Sequence, residues 1–588
     1  MISALRSHHC GALRASHTGQ TVVVMGWVHS RRDHGGVIFV DLRDHTGLVQ
    51  VVFRPESDAE AHRAADRLRN EFVIAVSGEV VRREEGNANP KLPTGEIEVL
   101  TRALDILNES KPPPFDWTDV VDERVRMTYR FFDLRNPRMQ QILRTRAKTA
   151  AIVRDTLNGE GFVDVETPFL TRSTPEGARD YLVPSRVNLG QFYALPQSPQ
   201  LFKQILMIAG YDRYYQIVRC FRDEDLRGNR QPEFTQIDLE MAFTKPDQVM
   251  NLIDVMLARI FKETIGVDVK LPIPKMTYRQ AVDEYGSDAP DLRFGLKLVD
   301  LSGESAAGEF QVFHKALEGK GRVQAIRVPG GATLSRKDLD ELTEYVAQFG
   351  AKGMAWLKMT PEGWQSPIAK YFPPPVQARI NQKLGLASGD LAVFGAGTPK
   401  VVADSLGNLR KELGRRMGLI PQGQFVFTWV TDFPLVEWDA EAKRHSAMHH
   451  PFTAPNAEDW SRRSEIDPVT IRAQAYDIVL NGVELGGGSI RNHRPEQQKQ
   501  VFELLGMSDA ETESRFGFFL NALTYGAPPH GGIALGFDRL IMFLVGTDSI
   551  RDVIAFPKTQ KATDLMMLAP SDVEETQLRE LGIRLRKA

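Results

Sequence analysis

Five short apolar runs near the N-terminus constrain the fold of this chain more than any other feature of its sequence. They are rich in valine, isoleucine and phenylalanine and are separated by turn signals. The runs are Thr21 to Val28, Val37 to Leu42, Leu48 to Phe53, Phe72 to Val81 and Ile97 to Leu107. A charged, alanine-rich segment from Ser57 to Arg69, between the third run and the fourth, predicts a helix. This order predicts an OB-type barrel, a fold that often binds single-stranded nucleic acid, and a small barrel used only for packing is the alternative.

The remainder of the 588-residue chain is too long for one core and predicts several domains. A lysine followed by three prolines, at 111–114, marks a boundary, and strands and helices then follow without βαβ regularity, which favours an antiparallel α+β domain. Residues 285–415 are rich in glycine and alanine, and this change in composition indicates an inserted domain. We therefore predict an α+β multidomain protein with an OB-type domain at 1–110, a linker at 111–140, an antiparallel-sheet domain in two parts at 141–284 and 416–560, an inserted α+β domain at 285–415 and a C-terminal extension at 561–588.

Composition excludes several classes of protein. A net charge of −3 argues against a protein that coats nucleic acid indiscriminately, although one charged face could still bind it. The two cysteines, Cys10 and Cys220, lie far apart, which argues against a cysteine-built zinc site and fits a reducing compartment. The most apolar run, Leu540 to Val545, is far shorter than the roughly 20 residues that a membrane-spanning helix needs. We expect a cytoplasmic protein without zinc and without a membrane partner.

Two arginines stand in segments suited to binding phosphate. Tyr214 to Phe243 alternates like two paired strands with a loop at 225–233, and Arg222 lies just before that loop. Gly531 to Leu540 is a glycine-rich junction from strand to helix, and Arg539 lies where the apolar helix begins. Guanidinium forks match phosphate oxygens, so both arginines are candidate ATP ligands. A solvated charged hairpin and an ordinary glycine-rich junction are the alternatives.

A pair of carboxylates is predicted between these two segments. Asn481-Gly482 between apolar runs is a strong signal for a two-residue hairpin turn. If these residues form the turn, Val479 lies opposite Glu484, and Asp477 lies two residues along on the same face. Both carboxylates then project to one side and could share a hard cation such as Mg²⁺. An acidic patch beside a flexible loop is the alternative.

Three segments of the chain, in this order, resemble the signature motifs of the class II aminoacyl-tRNA synthetases. Gly161 to Pro168 is similar to motif 1, Arg222 to Asp238 to motif 2, and Gly536 to Arg539 to motif 3. Finer matches to the bacterial aspartyl-tRNA synthetase family occur at Ser173 to Asp180, Gln197 to Lys203, His449 to Thr453 and Gly487 to Arg491. The resemblance covers nearly the whole chain, and it implies the antiparallel catalytic sheet of class II enzymes, the inserted domain of bacterial members and a homodimer.

The resemblance also implies a two-step reaction. L-aspartate and ATP form aspartyl-adenylate, and the aspartyl group then passes to the 3′ end of tRNA(Asp). The catalytic residues that it implies are Arg222, Glu484 and Arg539, and the Mg²⁺ ligands are Asp477 and Glu484. The implied ATP contacts are Arg222, Asp223, Glu224, Gln231, Glu484, Gly536, Phe537, Asp538 and Arg539. The implied aspartate contacts are Glu176, Gln200, Lys203, Arg222, Asp238, His449 and Arg491.

Specificity for aspartate is assigned by the resemblance to Lys203 and Arg491. An arginine–carboxylate fork disfavours asparagine, because an amide cannot accept from both prongs and a hydrogen bond to a charged group is worth about 1.5–3 kcal/mol. This pair argues against the nearest rivals, synthetases for asparagine or lysine. A nucleic-acid-binding protein built on an inactive synthetase core is an alternative of another class, but it needs no Arg222, Glu484 and Arg539 together. A tRNA-independent aspartate–ammonia ligase would not need the barrel.

In the barrel, the resemblance implies an anticodon contact by Phe39, with Arg32 and Gln50 beside it. Family members strict for one tRNA usually carry leucine where this chain has His34. His34, together with Gly86, resembles the non-discriminating enzymes that aspartylate both tRNA(Asp) and tRNA(Asn). A merely solvated histidine, in an enzyme for tRNA(Asp) only, is the alternative.

Overall fold

The structure is a computed structural model that describes residues 2, 5–174, 178–226 and 228–586. The chain divides into two compact units. The first contains residues 1–144 and 551–571, and the second contains residues 145–550 and 572–588. Within the described ranges, none of the helices has the length and apolar character needed to cross a membrane.

The first unit is built around the predicted barrel. Its strands and first helix are β1 Thr21–His34, β2 Val37–Asp44, β3 Gly47–Phe53, α1 Ala59–Ala65, β4 Val73–Arg82 and β5 Ile97–Asn108. The strands close in the order β1-β2-β3-β5-β4, with α1 between β3 and β4, so the OB-type prediction is confirmed. β1 continues beyond the predicted end at Val28, because a bulge between Val28 and Ser30 lets it stay paired with β2 as far as His34.

Two short helices, α2 Glu123–Thr128 and α3 Arg130–Asp133, lie in the range predicted as a linker. The Arg130 side chain is almost fully buried and donates hydrogen bonds to the backbone carbonyls of Arg551, Ile554 and Ala555, at 3.0, 2.8 and 2.9 Å. These bonds satisfy three acceptors in and just after the short 3-10 helix Ile550–Asp552, and they hold the segment that begins at Arg551 against α3 in the first unit.

The second unit contains a large central sheet and a smaller one. Its strands are β6 Val163–Asp164, β7 Leu182–Pro184, β8 Phe192–Ala194, β9 Arg213–Phe221, β10 Glu233–Ala242, β11 Lys275–Thr277, β12 Leu298–Asp300, β13 Arg322–Val328, β14 Ala355–Thr360, β15 Gly363–Gln365, β16 Leu391–Gly397, β17 Phe427–Thr431, β18 Val436–Asp439, β19 Arg444–Ala447, β20 Ala475–Leu480, β21 Val483–Ile490 and β22 His530–Gly536. The remaining helices of the chain are α4 Pro137–Gly159, α5 Gln200–Ile208, α6 Pro246–Ile265, α7 Tyr278–Tyr285, α8 Ser302–Ala306, α9 Gln311–Glu318, α10 Arg336–Ala347, α11 Pro374–Leu384, α12 Pro399–Arg416, α13 Ala457–Ser461, α14 Pro495–Leu504, α15 Asp509–Leu523, α16 Phe537–Val545 and α17 Glu575–Glu580.

The central sheet has the order β11-β17-β20-β21-β22-β10-β9-β6. Its inner neighbours are antiparallel, and only the two edge pairs, β11 with β17 and β6 with β9, run parallel. The antiparallel α+β prediction is therefore confirmed. Because β20, β21, β22, β10 and β9 are consecutive neighbours, the three segments singled out in the sequence meet on one sheet although they are distant in the chain.

A second, five-stranded sheet has the order β12-β13-β16-β14-β15 and falls inside the range predicted for the inserted domain. Apolar side chains cover both of its faces. One cluster packs strand residues against α10 and α12, and the other packs them against α9 and α11. This arrangement is an α+β layer with its own core. The numerical bounds of the predicted domains remain predictions.

The hairpin that was predicted to carry two carboxylates forms as expected. Asn481 and Gly482 are the turn, with φ of 51° and 81°, and Val479 lies opposite Glu484. Both turn residues have the positive φ that a tight two-residue turn requires. The register shifts by one residue beyond this pair, but the shift leaves Asp477, Val479 and Glu484 on one face.

Candidate active site

A cavity of about 500 Å³ lies against the central sheet of the second unit. β10, β20 and β21 contribute to its lining together with Arg222, which follows β9, and the junction between β22 and α16. The three phosphate and cation candidates, Arg222, Glu484 and Arg539, all reach it. The sheet order therefore brings together side chains that are separated by more than half of the chain.

Most of the site residues expected from sequence line this cavity. They are Gln200, Lys203, Arg222, Glu224, Gln231, Asp238, His449, Asp477, Glu484, Arg491, Gly536, Asp538 and Arg539.

Two expected ATP contacts are not in that lining. Phe537 is buried beneath the guanidinium of Arg146, 4.6 Å from the ring centre. Asp223 donates its backbone N–H to the carbonyl of Arg179 at 3.0 Å, next to the cavity but outside its wall. Glu176, expected to contact aspartate, lies outside the described residues.

Four buried charges form the floor of the cavity. The Lys203 ammonium lies 2.7 Å from Oδ2 of Asp238 and 3.3 Å from Oε2 of Glu240. Arg491 donates from Nε and Nη2 to the two oxygens of Glu240, at 3.0 and 3.2 Å. All four side chains are at most 2% exposed. Buried charges are tolerated only when they are paired and hydrogen-bonded, and here two cations balance two anions.

The orientation of Arg491 is set by its neighbours. Besides Glu240, its Nη1 donates to the Ser489 hydroxyl at 2.7 Å and contacts a ring nitrogen of His450. Burial, together with the adjacent Arg491 charge, lowers the pKa of His450 well below its ordinary value, so His450 stays neutral beside the guanidinium. The fork is therefore fixed before any ligand arrives, which reduces the ordering cost of binding a carboxylate.

Unpaired polar atoms beside these charges indicate a polar ligand. Gln200 Nε2, Asp238 Oδ1 and His449 Nδ1 are buried and have no hydrogen-bond partner among the described residues. Buried polar atoms are rarely left unsatisfied, because each costs free energy. Burial, which outweighs the ion pair with Lys203, raises the pKa of Asp238 to about 6. An ammonium group placed against Oδ1 would complete this carboxylate.

The two hairpin carboxylates face the same cavity. Oδ1 of Asp477 accepts a hydrogen bond from Nε2 of His449 at 3.0 Å, and a β-carbon at Gly487 would lie 2.5 Å from the same oxygen. Withdrawal from water and the Asp477 charge raise the pKa of Glu484. Burial acts to lower the pKa of His449, but Asp477 overrides it and leaves that pKa raised. Neighbouring carboxylates that hold positive charge in this way are oxygen donors of the kind that Mg²⁺ prefers.

Neighbouring groups position the two candidate phosphate ligands, Arg222 and Arg539. The Arg222 guanidinium stacks over the Phe234 ring, 5.1 Å from its centre, and has no ion pair among the residues that the structure describes. Arg539 donates from Nη1 to the backbone carbonyl of Glu484 at 2.7 Å. Across the loop of the β9–β10 hairpin, Glu224 accepts from Arg230 at 2.9 Å. Arg222 thus keeps its donors available for an anionic ligand.

Sequence reasoning missed three contributors to the cavity or its floor. Glu240 follows Asp238 by two residues on β10, so the two carboxylates share a face, and this spacing was the available signal. Phe234 lies on the same strand and supports Arg222. Asp288, which also lines the cavity, follows α7 and comes from outside the three motif segments, so no local pattern revealed it.

The barrel of the first unit presents the predicted tRNA contacts on its outer face. Ile38 and Val40 point into the core, so Phe39 between them points outward and is half-buried. Arg32, which pairs with Phe39 across the strands, is exposed and lies 3.2 Å from Asp41.

Three further tRNA candidates belong to the same barrel. Gln50 is buried and donates to Glu98 at 2.9 Å. His34 is exposed at the end of β1, and Gly86 is exposed in the loop between β4 and β5 with φ of 86°. A positive φ of this size favours glycine.

Family models match two parts of the chain. The model described as "tRNA synthetases class II (D, K and N)" matches residues 122–560, and the model described as "OB-fold nucleic acid binding domain" matches residues 22–107. Together they cover the barrel, the central sheet and the inserted sheet.

Curated relatives match this chain over almost its full length. A protein named Aspartate--tRNA(Asp/Asn) ligase from Desulfatibacillum aliphaticivorans is 56% identical over 100% of this chain and 98% of its own. A protein of the same name from Geotalea uraniireducens is 55% identical over 98% of each chain. The crystal structure of asparaginyl-tRNA synthetase from Pyrococcus horikoshii complexed with asparaginyl-adenylate has a TM-score of 0.59 at 18% identity, covering 95% of this chain and 99% of that one. At this identity the likeness concerns the fold alone.

Replacing Glu240 with Gln should weaken the binding of L-aspartate. The amide cannot accept from both Arg491 and Lys203, so the fork loses its fixed orientation, and we expect the Kd to rise about 10- to 100-fold. Calorimetry with aspartate measures this change. E233Q is the matched control, since Glu233 lies on the same strand and pairs with Arg219 away from the floor. An unchanged or tighter Kd in E240Q would show that Glu240 only balances charge.

Aspartate binding should also depend on pH through Asp238. Its pKa of about 6 means that the carboxyl gains a proton as the pH falls below that value and stops attracting an ammonium group. The Kd for aspartate should rise by roughly 10-fold per pH unit below that point, since the ligand carboxylates stay ionised to about pH 4. Calorimetry from pH 5 to 8 tests this. D238N should flatten the profile, and a flat profile in the unaltered protein or an unchanged pH dependence in D238N would contradict the prediction.

Proposed function

The chain belongs to the class II tRNA synthetases of the D, K and N group, and from that premise we propose that it joins L-aspartate to tRNA at the expense of ATP. The observation that carries the proposal is the buried pair of cations, Lys203 and Arg491, beside an incompletely bonded Asp238 carboxylate. A zwitterion with an additional carboxylate matches this arrangement of charges. The expected class II synthetase fold and the expected family of aspartate--tRNA ligases are both confirmed.

The floor of the cavity selects the amino acid. The side-chain carboxylate of aspartate binds beside Arg491 and Lys203, and its ammonium binds beside Asp238. Asparagine would bring an amide N–H₂ against a guanidinium that only donates, and lysine would bring a third cation to two existing ones. Either ligand therefore places a donor or a like charge against a buried cation, which is costly where water is excluded.

Activation joins two anions, because the α-carboxylate of aspartate attacks the α-phosphate of ATP and pyrophosphate leaves. Arg222 and Arg539 supply fixed positive charge for the phosphates, with Arg222 at the α-phosphate and Arg539 at the γ-phosphate. Asp477 and Glu484 would hold Mg²⁺, and this ion supplies further neutralisation of the phosphate charge when it is bound. Glu224, Gln231 and the backbone at Gly536 and Asp538 complete the proposed ATP contacts, with Glu224 near the adenine.

Transfer follows when a hydroxyl of the terminal ribose of tRNA attacks the activated carbonyl and AMP leaves. We assign no side chain as an obligatory base for either step, since the leaving groups are phosphates. The barrel binds the anticodon of the tRNA, with Phe39 stacking an anticodon base and Arg32 and Gln50 beside it.

We further propose that both tRNA(Asp) and tRNA(Asn) are charged. The difference between these tRNAs lies in the third anticodon base, and relaxed reading of that base requires that the barrel lack a group that rejects one of the two. His34 and Gly86 are both exposed on the barrel, where they are accessible to an anticodon. The relatives named Aspartate--tRNA(Asp/Asn) ligase support this proposal.

A homodimer is also proposed. Several large apolar side chains on the edge strand β6 and in the segment that follows it as far as β8 are between 38% and 57% exposed: Val163, Phe169, Leu170, Leu182, Phe192 and Tyr193. Exposed apolar surface at the edge of a sheet is a typical site of protein association, and a second copy of this chain would cover it. A cytoplasmic location is proposed as well, because Cys10 and Cys220 are buried and no disulfide joins them among the described residues, as expected in a reducing compartment.

Pyrophosphate exchange tests the proposed activation step. Purified protein should exchange labelled pyrophosphate into ATP with aspartate and not with asparagine or lysine. Arg491→Leu should lower the exchange rate at least about 100-fold, because the substrate carboxylate loses its fork. Arg494→Leu is the control, since Arg494 is exposed three residues further on. Exchange driven by asparagine or lysine would refute the assignment of aspartate.

Charging of purified tRNA(Asn) tests the second specificity. The protein should load aspartate onto both tRNAs, and His34→Leu should lower charging of tRNA(Asn) about 10-fold or more while charging of tRNA(Asp) changes little. The control is His45→Leu, which alters another exposed histidine of the same barrel. Failure of the unaltered protein to charge tRNA(Asn) would remove the role of His34.

A further inference from the structure

Arg146, on α4, contacts two of the segments that form the cavity. Its guanidinium donates to Oδ1 of Asp538 at 2.5 Å and to the Thr235 hydroxyl at 3.0 Å. It also lies over the Phe537 ring, 4.6 Å from the centre. The Asp538 side chain is 3% exposed and that of Arg146 is 21% exposed, so the ion pair is largely withdrawn from water. A pair placed in this way is screened less by water and salt than an exposed pair.

These contacts form where the pairing between β10 and β22 ends. Gln236 and Gly536 are the last paired residues at this end of the ladder, and beyond them β22 gives way to α16. The backbone N–H of Thr235, next along β10, donates to Oδ2 of Asp538 at 2.8 Å. A side-chain carboxylate therefore takes the place of a strand carbonyl, since an unpaired buried N–H is costly. Arg146 holds the other oxygen of that carboxylate and so keeps β10 and α16 together beyond the last strand pair.

The partners of Arg146 lie next to both proposed phosphate ligands. Thr235 follows the phenylalanine whose ring supports Arg222, and Asp538 directly precedes Arg539. Thr235 and Asp538 line the cavity, whereas Arg146 is not in its lining. One guanidinium outside the cavity wall thus joins the chain neighbours of Arg222 and Arg539.

Loss of this guanidinium would disturb both attachments together. Removal of one partner from a buried ion pair leaves the other charge uncompensated, which is strongly unfavourable. We expect the Asp538 carboxylate to turn toward water, which releases the Thr235 N–H and moves the start of α16. A triphosphate bound by two arginines depends on the distance between them, and a displacement of about 1 Å far from the reacting atoms can cost roughly 100-fold in rate.

We propose that Arg146 is a positioning residue that fixes Arg222 and Arg539 relative to each other for binding the triphosphate of ATP. The inference rests on the proposed function, because it takes those two arginines as the ligands of ATP. Arginine suits this role, since its planar fork bonds two partners while its face stacks on a ring, and a lysine ammonium cannot do all three. Helix α4 then takes part in nucleotide binding from outside the cavity wall.

Binding of an ATP analogue tests this role without turnover. The analogue has a methylene group between its α- and β-phosphates, and calorimetry with Mg²⁺ present measures its Kd. R146M should raise that Kd at least about 10-fold, because both arginines lose their common support, and R146K should recover part of the loss through its charge. The Kd for aspartate without ATP should stay unchanged in both variants, since the floor of the cavity is held by its own ion pairs.

R144M is the matched control for these measurements. Arg144 is exposed and lies two residues earlier on α4, so its replacement removes the same charge from the same helix. R144M should bind the analogue like the unaltered protein.

Pyrophosphate exchange separates positioning from a purely structural role. In R146M we expect a higher KM for ATP and an unchanged KM for aspartate. A purely structural role would instead lower the fraction of folded protein, which lowers the apparent kcat and leaves both KM values as they are.

A double variant tests whether Arg146 acts through Asp538. If it does, R146M combined with D538N should bind the analogue about as weakly as D538N alone, because residues that act as a unit give non-additive losses. Additive losses would show that Arg146 acts by another route and would overturn the proposal.

An unchanged Kd for the analogue in R146M would also overturn it. If R146M loses aspartate binding as well, R146K replaces it, and an unchanged Kd there has the same meaning. Failure of the proposed function appears elsewhere, as an absence of aspartate-dependent pyrophosphate exchange in the unaltered protein. Analogue binding needs neither aspartate nor turnover, so the two failures are distinguishable.

Discussion

The charge balance among Lys203, Asp238, Glu240 and Arg491 is the constraint on which the rest of the site depends. Each of these side chains would be costly to bury alone, and each is stabilised by the others. They come from α5, β10 and the residue after β21, so the ion pairs also join the helix to the middle of the sheet. A ligand that brings charge into this site must carry groups that pair with the four buried charges. Aspartate can do so because it carries an anion for the cations and a cation for the anion.

Much of the architecture could be predicted from the sequence because it follows from short-range rules. Alternation between buried and exposed residues predicts the barrel, and Phe39 points outward for the same reason that Ile38 and Val40 point inward. The turn at Asn481-Gly482 fixes the register of its hairpin, and the register places Asp477 and Glu484 on one face. These features depend on residues that are neighbours in the chain or across one turn.

The features that could not be predicted depend on distant partners. Asp223 and Phe537 lie within recognised motifs, but tertiary contacts with Arg179 and Arg146 direct them away from the cavity wall. Asp288 lies outside the motifs, after α7, yet it lines the cavity. The way in which Glu240 holds Arg491 likewise depends on the pairing of β10 and β21 with β22 between them. A motif indicates which chemistry is available, whereas the packing around it decides which of its side chains take part.

The contact between Gly286 and Gly407 has a consequence for how this protein can vary over evolutionary time. A β-carbon at Gly407 of α12 would lie 2.3 Å from the carbonyl oxygen of Gly286, and Arg410 of the same helix donates hydrogen bonds to the carbonyls of Asp291 and Phe294. Because the first contact joins two backbones, it restricts two glycines and almost none of the side chains of the five-stranded sheet. Those side chains can drift, and loops between them can lengthen, provided that α12 still docks through the glycines and Arg410. Selection would then act strongly on Gly286, Gly407 and Arg410 and weakly on the side chains of the five-stranded sheet. An inserted region of this kind is free to acquire new surfaces while its attachment to the site stays the same.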